Sequence, residues 1–120
     1  MFVSPLQPSS DVCLEGFDII GPVSDGQSAL TEVERLHPDV LVLDVSMPGI
    51  SGIETARRLK KSMSNVKVIF LSVHENCDYI REARAVGGRG YVIKSRLASD
   101  LANAIKAVHA DHSFFPEIAC

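Results

Sequence analysis

Short apolar runs alternate along the chain with longer stretches in which apolar residues recur every three or four positions. Apolar residues predominate in the ranges 17–23, 40–43, 67–71 and 90–93, and each range has the length of a β-strand. The stretch after each run has the spacing of a helix with one buried face. Strands that alternate with helices of this length predict βαβ units and an α/β fold with a doubly wound parallel sheet.

The stretch from Val40 to Gly52 is the centre of this pattern. Val40 to Leu43 is apolar without polar alternation, which is typical of a strand buried on both faces of a parallel sheet. The run ends at Asp44, and open α/β sheets bind ligands at the carboxyl ends of their strands. Met47-Pro48-Gly49 predicts a turn, and Gly52 precedes the next helical stretch.

Two later strands end in the same way. Ser72 follows the run 67–71, and Lys94 follows the last run, which contains Tyr91. Taken singly, each residue has an ordinary structural explanation, such as a turn, a loop cap or a surface charge. Together and in this order, they resemble the phosphoacceptor, the switch pair and the lysine of response-regulator receiver domains in two-component signalling. The resemblance extends from Phe17 to the C-terminus.

The resemblance implies a flavodoxin-like receiver fold with strand order 2-1-3-4-5. It makes Asp44 the residue that accepts a phosphoryl group from a histidine kinase, and it implies a signalling domain without catalytic residues of its own. Ser72, Tyr91 and Lys94 are then the switch and phosphoryl-binding residues. Ser46 and His74 lie two positions after Asp44 and Ser72 and are expected to line the site.

The N-terminus departs from the family pattern. Receiver domains carry an acidic pair at the end of their first strand, roughly 44 residues before the acceptor when typical element lengths are added. That position falls at or before Met1, so no matching pair is present. Asp11 and Glu15 lie where the first helix should end, and we expect residues 11–16 to be its last turns, closed by Gly16. The first strand and helix are therefore predicted to be truncated or missing.

A missing first strand affects both the sheet and the metal chemistry. The gap in the sheet can be closed by residues 1–3, by direct pairing of its neighbours, or by a strand exchanged with a second copy, which favours a homodimer. Mg²⁺ prefers several oxygen ligands, and Asp44 with the Ser46 carbonyl is a weak set, so Mg²⁺ binding is expected to be weak. The alternative function is a pseudo-receiver, an interaction module that is not efficiently phosphorylated.

Composition narrows the function classes. The 120 residues carry a net charge of −3, which gives no general attraction to nucleic acid. No apolar run is long enough to span a membrane, and three cysteines without metal spacing favour a reducing cytoplasm. No glycine-rich phosphate loop supports a nucleotide- or flavin-binding protein.

We expect one receiver domain over residues 1–120, with an atypical segment at 1–16 and the start of a linker at 111–120. The sequence around Phe114-Phe115-Pro116 resembles the junction after the receiver in NarL-type transcription regulators. DNA binding is therefore expected only through an output domain outside this chain. Phe114 and Phe115 are expected to pack on the domain or on a second copy.

Overall fold

The computed structural model describes residues 2–5, 13–14, 17–20, 26–36, 39–45, 51–62 and 66–116. Strands and helices alternate through most of this part of the chain, and no helix within it is long and apolar enough to cross a membrane. In chain order the elements are β1 (Phe2–Pro5), β2 (Cys13–Leu14), β3 (Phe17–Ile20), α1 (Gly26–Leu36), β4 (Val40–Asp44), α2 (Gly52–Lys61), β5 (Lys67–Ser72), α3 (Cys77–Ala85), β6 (Gly90–Ile93), a 3₁₀ turn (Lys94–Arg96) and α4 (Leu97–His109).

The strands form one sheet with the order β2-β3-β1-β4-β5-β6. Strands β4, β5 and β6 are parallel neighbours, and each is connected to the next through a helix. Val40 lies opposite Lys67, and Ile69 lies opposite Gly90, so the three strands end at the same edge of the sheet. The predicted α/β receiver fold is confirmed.

Helices cover both faces of the sheet, because alternate residues of its strands point in opposite directions. Leu41 and Leu43 of β4 pack in a core with α1, α2 and α3, whereas Val40 and Val42 pack in a second core with α4. The first core includes Ala29, Val33, Ile53, Ala56, Leu59, Phe70, Ile80, Ala83 and Tyr91. The second includes Ile69, Val92, Ala104, Ile105 and Val108.

The N-terminal residues occupy the place of the first strand. β1 lies between β3 and β4, so the expected positions 2-1-3-4-5 are all filled, but β1 runs antiparallel to both neighbours. Of the three ways to close the gap, the chain uses its own N-terminus. β1 pairs with β3 over four residues and with β4 over two, from Phe2 opposite Leu41 to Val3 opposite Val40.

The expected helix end at residues 11–16 is wrong for Cys13 and Leu14, which form β2 and pair antiparallel with β3. Glu15 and Gly16 separate the two strands in the sequence. A glycine two residues after an apolar pair is compatible with a short hairpin as well as with a helix end, and here strand pairing prevails. None of the described residues before Gly26 is helical.

Helix α4 ends in a Schellman motif that reverses the chain. Asp111 has a left-handed backbone with φ of 66°, and its N–H donates to the carbonyl oxygen of Val108 at 3.0 Å. The N–H of His112 donates to the carbonyl oxygen of Ala107 at 2.8 Å. These two bonds satisfy the last carbonyl groups of the helix and direct the following residues back towards β6.

Candidate functional site

Three polar side chains meet at the carboxyl edge of the parallel strands. Asp44 is the last residue of β4, Ser72 is the last residue of β5, and Lys94 directly follows β6. The register places Asp44 opposite Leu71, and Ser72 opposite Ile93, so the three strand ends are adjacent. The sheet therefore brings together residues that are separated by up to 50 positions in the sequence.

Asp44 and Lys94 form a direct ion pair. The Lys94 Nζ donates to the Asp44 Oδ2, and the two side chains are 40% and 31% exposed, respectively. Water screens a pair with this exposure, so its contribution to stability is modest. The pair matters more for chemistry, because the Lys94 ammonium lies beside a solvent-accessible carboxylate and can also contact an anion that approaches it.

Gly52 packs directly against the backbone at the end of β4. The N–H of Gly52 donates to the carbonyl oxygen of Val45 at 3.0 Å, which fixes the start of α2 against the strand. A Cβ atom at Gly52 would lie 2.3 Å from the carbonyl oxygen of Asp44. Only glycine allows this close approach of helix and strand. The position of Asp44 therefore depends on the absence of a side chain at Gly52.

Ser72 is 2% exposed and faces the interior at the end of β5. Its Oγ accepts a hydrogen bond of 3.0 Å from the backbone N–H of His74. This short-range bond fixes the start of the loop between β5 and α3. The hydroxyl keeps a proton that it can donate.

Tyr91 lies inside the domain and is 1% exposed. Its hydroxyl donates to the backbone carbonyl oxygen of His74 at 2.8 Å. Burial raises the pKa of the Tyr91 phenol, and a hydrogen bond with Ser72 opposes this shift. The phenol is therefore neutral at physiological pH and acts as a hydrogen-bond donor.

His74 connects Ser72 and Tyr91 through its main chain. Its N–H reaches Ser72 and its carbonyl oxygen receives the Tyr91 hydroxyl, while its ring stacks on Tyr79 with the centroids 4.0 Å apart. Sequence reasoning placed His74 beside the site but missed this main-chain role, because backbone hydrogen bonds leave no residue-type signal. It also missed the stack of the His74 ring on Tyr79.

The described residues do not by themselves fit a divalent metal. Mg²⁺ is normally held by several oxygen ligands, among them carboxylates. Within the described ranges no three His, Cys, Asp or Glu residues come together in a way that could hold a metal ion, and the Asp44 carboxylate is bonded to Lys94. Three residues named from the sequence, Asp11, Glu15 and Ser46, lie outside the described residues.

Comparison with known proteins identifies the family. The family model described as "Response regulator receiver domain" matches residues 11–106. The chain belongs to this family. Receiver domains are signalling modules of two-component systems rather than classical enzymes. The match includes the whole stretch from β2 into α4, and with it Asp44, Ser72, Tyr91 and Lys94. The family match does not favour the pseudo-receiver alternative.

Individual relatives agree with the NarL-type resemblance of the receiver domain. This chain is 35% identical over 92 residues to the transcriptional regulatory protein DegU of Brevibacillus brevis, a match that covers 77% of this chain and 39% of DegU. A LuxR-family two-component response regulator from Aurantimonas sp. SI85-9A1 superposes with a TM-score of 0.78 at 26% identity, over 82% of this chain and 71% of that one. The signal receiver domain of the putative regulator NarL from Mycobacterium tuberculosis gives 0.73 at 25% identity, over 78% and 75%. The chain spans less than half the length of DegU.

Proposed function

We propose that Asp44 is the phosphoacceptor of this receiver domain, with Lys94, Ser72 and Tyr91 as the residues that respond to its phosphorylation. The observation that supports this most directly is the contact of Lys94 with the Asp44 carboxylate at the open edge of the sheet. A carboxylate is a competent nucleophile for phosphoryl transfer, and the transfer depends mainly on positioning and on neutralising charge.

In the proposed reaction, an oxygen of Asp44 attacks the phosphorus atom of a phosphohistidine or a small acyl phosphate. A new P–O bond forms, the bond between phosphorus and the donor breaks, and the donor leaves with the electron pair. Asp44 becomes an aspartyl phosphate. Lys94 is already next to the attacking carboxylate, and its ammonium can pass to the phosphoryl oxygens as their negative charge replaces that of Asp44.

Ser72 supplies the proposed link from this chemistry to the rest of the domain. Its Oγ now accepts a bond from the N–H of His74, and it is one strand away from Asp44. When its hydroxyl turns to donate to a phosphoryl oxygen, the N–H of His74 loses an acceptor. The loop that holds the Tyr91 hydroxyl then has to rearrange.

We further propose that any Mg²⁺ dependence of this reaction is weak. Two observations support this. Within the described part of the chain, no three His, Cys, Asp or Glu residues come together in a way that could hold a metal ion, and the Asp44 carboxylate is already paired with Lys94. Lys94 supplies the neutralising positive charge that the reaction needs.

The partners follow from the same role. We infer a histidine kinase as the phosphodonor and an output domain beyond these 120 residues as the part that would contact DNA, in line with the relative's name as a transcriptional regulatory protein. The division into one receiver over residues 1–120 and a linker from 111 is part of this proposal. A homodimer, strand-exchanged or not, stays a prediction. Size-exclusion chromatography with light scattering tests it.

The first experiment is intact-mass measurement after incubation with acetyl phosphate, with and without Mg²⁺. We expect one phosphoryl adduct on the wild-type chain, and an adduct yield that changes little when Mg²⁺ is omitted. Asp44→Asn should carry no adduct, because its amide is not a nucleophile towards phosphorus.

The matched control is Asp78→Asn, which removes an exposed carboxylate from the first turn of α3. It should keep the adduct at the wild-type level. An adduct that survives in Asp44→Asn, or that is missing from the wild type under both conditions, contradicts the assignment of Asp44. Strict dependence on Mg²⁺ contradicts the metal proposal alone.

A further inference from the structure

The residues that follow α4 add a short piece of sheet to the outer edge of β6. Phe114 and Gly90 form a parallel bridge. The N–H of Phe114 donates to the carbonyl oxygen of Arg89 at 2.9 Å, and the N–H of Tyr91 donates to the carbonyl oxygen of Phe114 at 2.8 Å. We call residues 112–116 the strap. The strap covers an edge of β6 that would otherwise present unpaired backbone groups.

The strap has one aromatic ring on each face of the sheet. Phe114 packs against the core formed with α4, and Phe115 packs against the core formed with the other three helices. The Arg84 guanidinium carbon lies 4.2 Å from the centroid of the Phe115 ring, which is the geometry of a cation–π contact. The strap therefore packs on both faces of the sheet beside β6, and it also contacts Arg84 of α3.

Residues 109–111, which lead from α4 into the strap, have contacts of their own that do not involve β6. Lys67 at the start of β5 pairs with Asp111 at 2.7 Å and donates to the carbonyl oxygen of His109 at 3.2 Å. These contacts add to the Schellman motif at the end of α4. The strap itself, in contrast, is held on β6 by the two backbone hydrogen bonds and the two rings. A change at β6 can therefore release the strap while residues 109–111 stay in place.

Tyr91 is hydrogen-bonded both to the strap and to the loop beside the proposed phosphorylation site. Its N–H holds Phe114, and its hydroxyl holds the carbonyl oxygen of His74. The N–H of His74 in turn is bonded to the Oγ of Ser72. Three hydrogen bonds thus form a continuous connection from Ser72, at the end of β5, to the strap beside β6.

We propose that attachment of the strap to β6 depends on the state of Ser72, so that the strap is released when Asp44 is phosphorylated. The first half of this proposal stands on the hydrogen bonds alone, and the second half rests on the proposed function of Asp44. The physical reason is that His74 loses its acceptor when Ser72 turns away, and Tyr91 then loses the fixed partner of its hydroxyl. Linkage requires the reverse effect as well: loosening the strap must favour phosphorylation.

The test is amide hydrogen exchange, measured by NMR on the whole chain without a phosphodonor, for the wild type and Ser72→Ala. Removing the Oγ imitates its departure from His74. We expect exchange at the amides of Tyr91 and Phe114 to become about five-fold faster, which corresponds to about 1 kcal/mol, the typical net value of one hydrogen bond. The amide of Ile69, deep in β5, should be unchanged and shows that the fold is kept. The matched control Ser99→Ala, at an exposed serine of α4, should leave all three amides as in the wild type.

A second arm adds acetyl phosphate to the wild type and records mass and exchange together. Faster exchange at Tyr91 and Phe114 in the adduct supports both halves of the proposal. Faster exchange in Ser72→Ala without any adduct in the wild type supports the link to Ser72 and contradicts only the role of Asp44. Unchanged exchange in Ser72→Ala overturns the link, and an adduct with unchanged exchange overturns the response to phosphorylation.

Discussion

Replacing Gly52 with alanine tests whether the contact behind Asp44 sets both stability and reactivity. The added Cβ would lie 2.3 Å from the carbonyl oxygen of Asp44, 3.0 Å from its carbonyl carbon and 3.1 Å from the Cα of Val45. All three are backbone atoms, so no side chain can rotate out of the way. The carbonyl oxygen must retreat to at least 3.0 Å, and the end of β4 must move with it.

The expected loss of stability for Gly52→Ala follows from two opposing terms. Overpacking of a close-packed contact costs about 1–3 kcal/mol, and we take the upper end because the contact is with backbone. Alanine in a helix gains about 1 kcal/mol over glycine. The net loss is about 2 kcal/mol, which lowers the melting temperature of a domain of this size by roughly 8 °C.

Reactivity of Gly52→Ala should fall as well, because the backbone that carries the Asp44 carboxylate, the proposed phosphoacceptor, is displaced. We expect the rate of adduct formation with acetyl phosphate to drop by about ten-fold or more. Calorimetry gives the melting temperature and intact mass gives the rate, with the exposed Lys61→Ala in the same helix as a control that changes neither. A Gly52→Ala protein with wild-type melting temperature and wild-type rate would refute the reasoning.

Three further predictions concern stability. Ser51→Ala removes the side-chain oxygen that accepts from the N–H of Glu54 at 3.1 Å, and it should lower the free energy of unfolding by about 1 kcal/mol in urea titration; no change would mean that water replaces the cap. Burial raises the pKa of Tyr91. The contribution of Tyr91 to the free energy of unfolding is therefore complete below about pH 10 and is lost as the pH rises towards the raised pKa. Tyr91→Phe should lack this alkaline loss in denaturation midpoints measured from pH 8 to 12, and equal slopes in both proteins would contradict it. The hydrogen bond from Lys67 lowers the pKa of Asp111, so the contribution of Asp111 to the free energy of unfolding is present above about pH 4 and is lost below it. The melting temperature of Asp111→Asn should therefore fall less steeply in acid than that of the wild type. Parallel curves for the two proteins would show that the pair adds nothing to stability.

Most of the parallel sheet and the site could be predicted because the decisive residues lie within or at the end of continuous apolar runs. Val40 to Leu43 has no polar alternation and no turn residue, so a buried strand is the simplest explanation of its pattern. Once the strands are placed, Asp44, Ser72 and Lys94 must share one edge, because parallel strands end together. The presence of the three residues at this edge therefore follows from the pattern, whereas their roles stay predictions.

The N-terminal strands could not be predicted in the same way. Phe2–Pro5 is four residues long, and nothing in so short a segment fixes its direction beside Val40. Cys13 and Leu14 precede a glycine that is suitable for a helix end and for a hairpin alike. In both cases pairing with distant residues decides the structure, and local preference does not.

The contact between β1 and β4 has a consequence for handling the protein in solution. This contact, called the seam below, consists of two residue pairs, whereas β4 and β5 share five. Of the two pairings that β4 makes, the pairing with β1 is therefore the shorter. Opening it detaches β1, β2 and β3 as a unit and bares the backbone edge of the apolar strand β4. A bare apolar edge recruits strands from other molecules and is open to proteases. Concentrated stocks should therefore lose protein by self-association that begins at this seam, and fastening β1 to β4 would extend their lifetime.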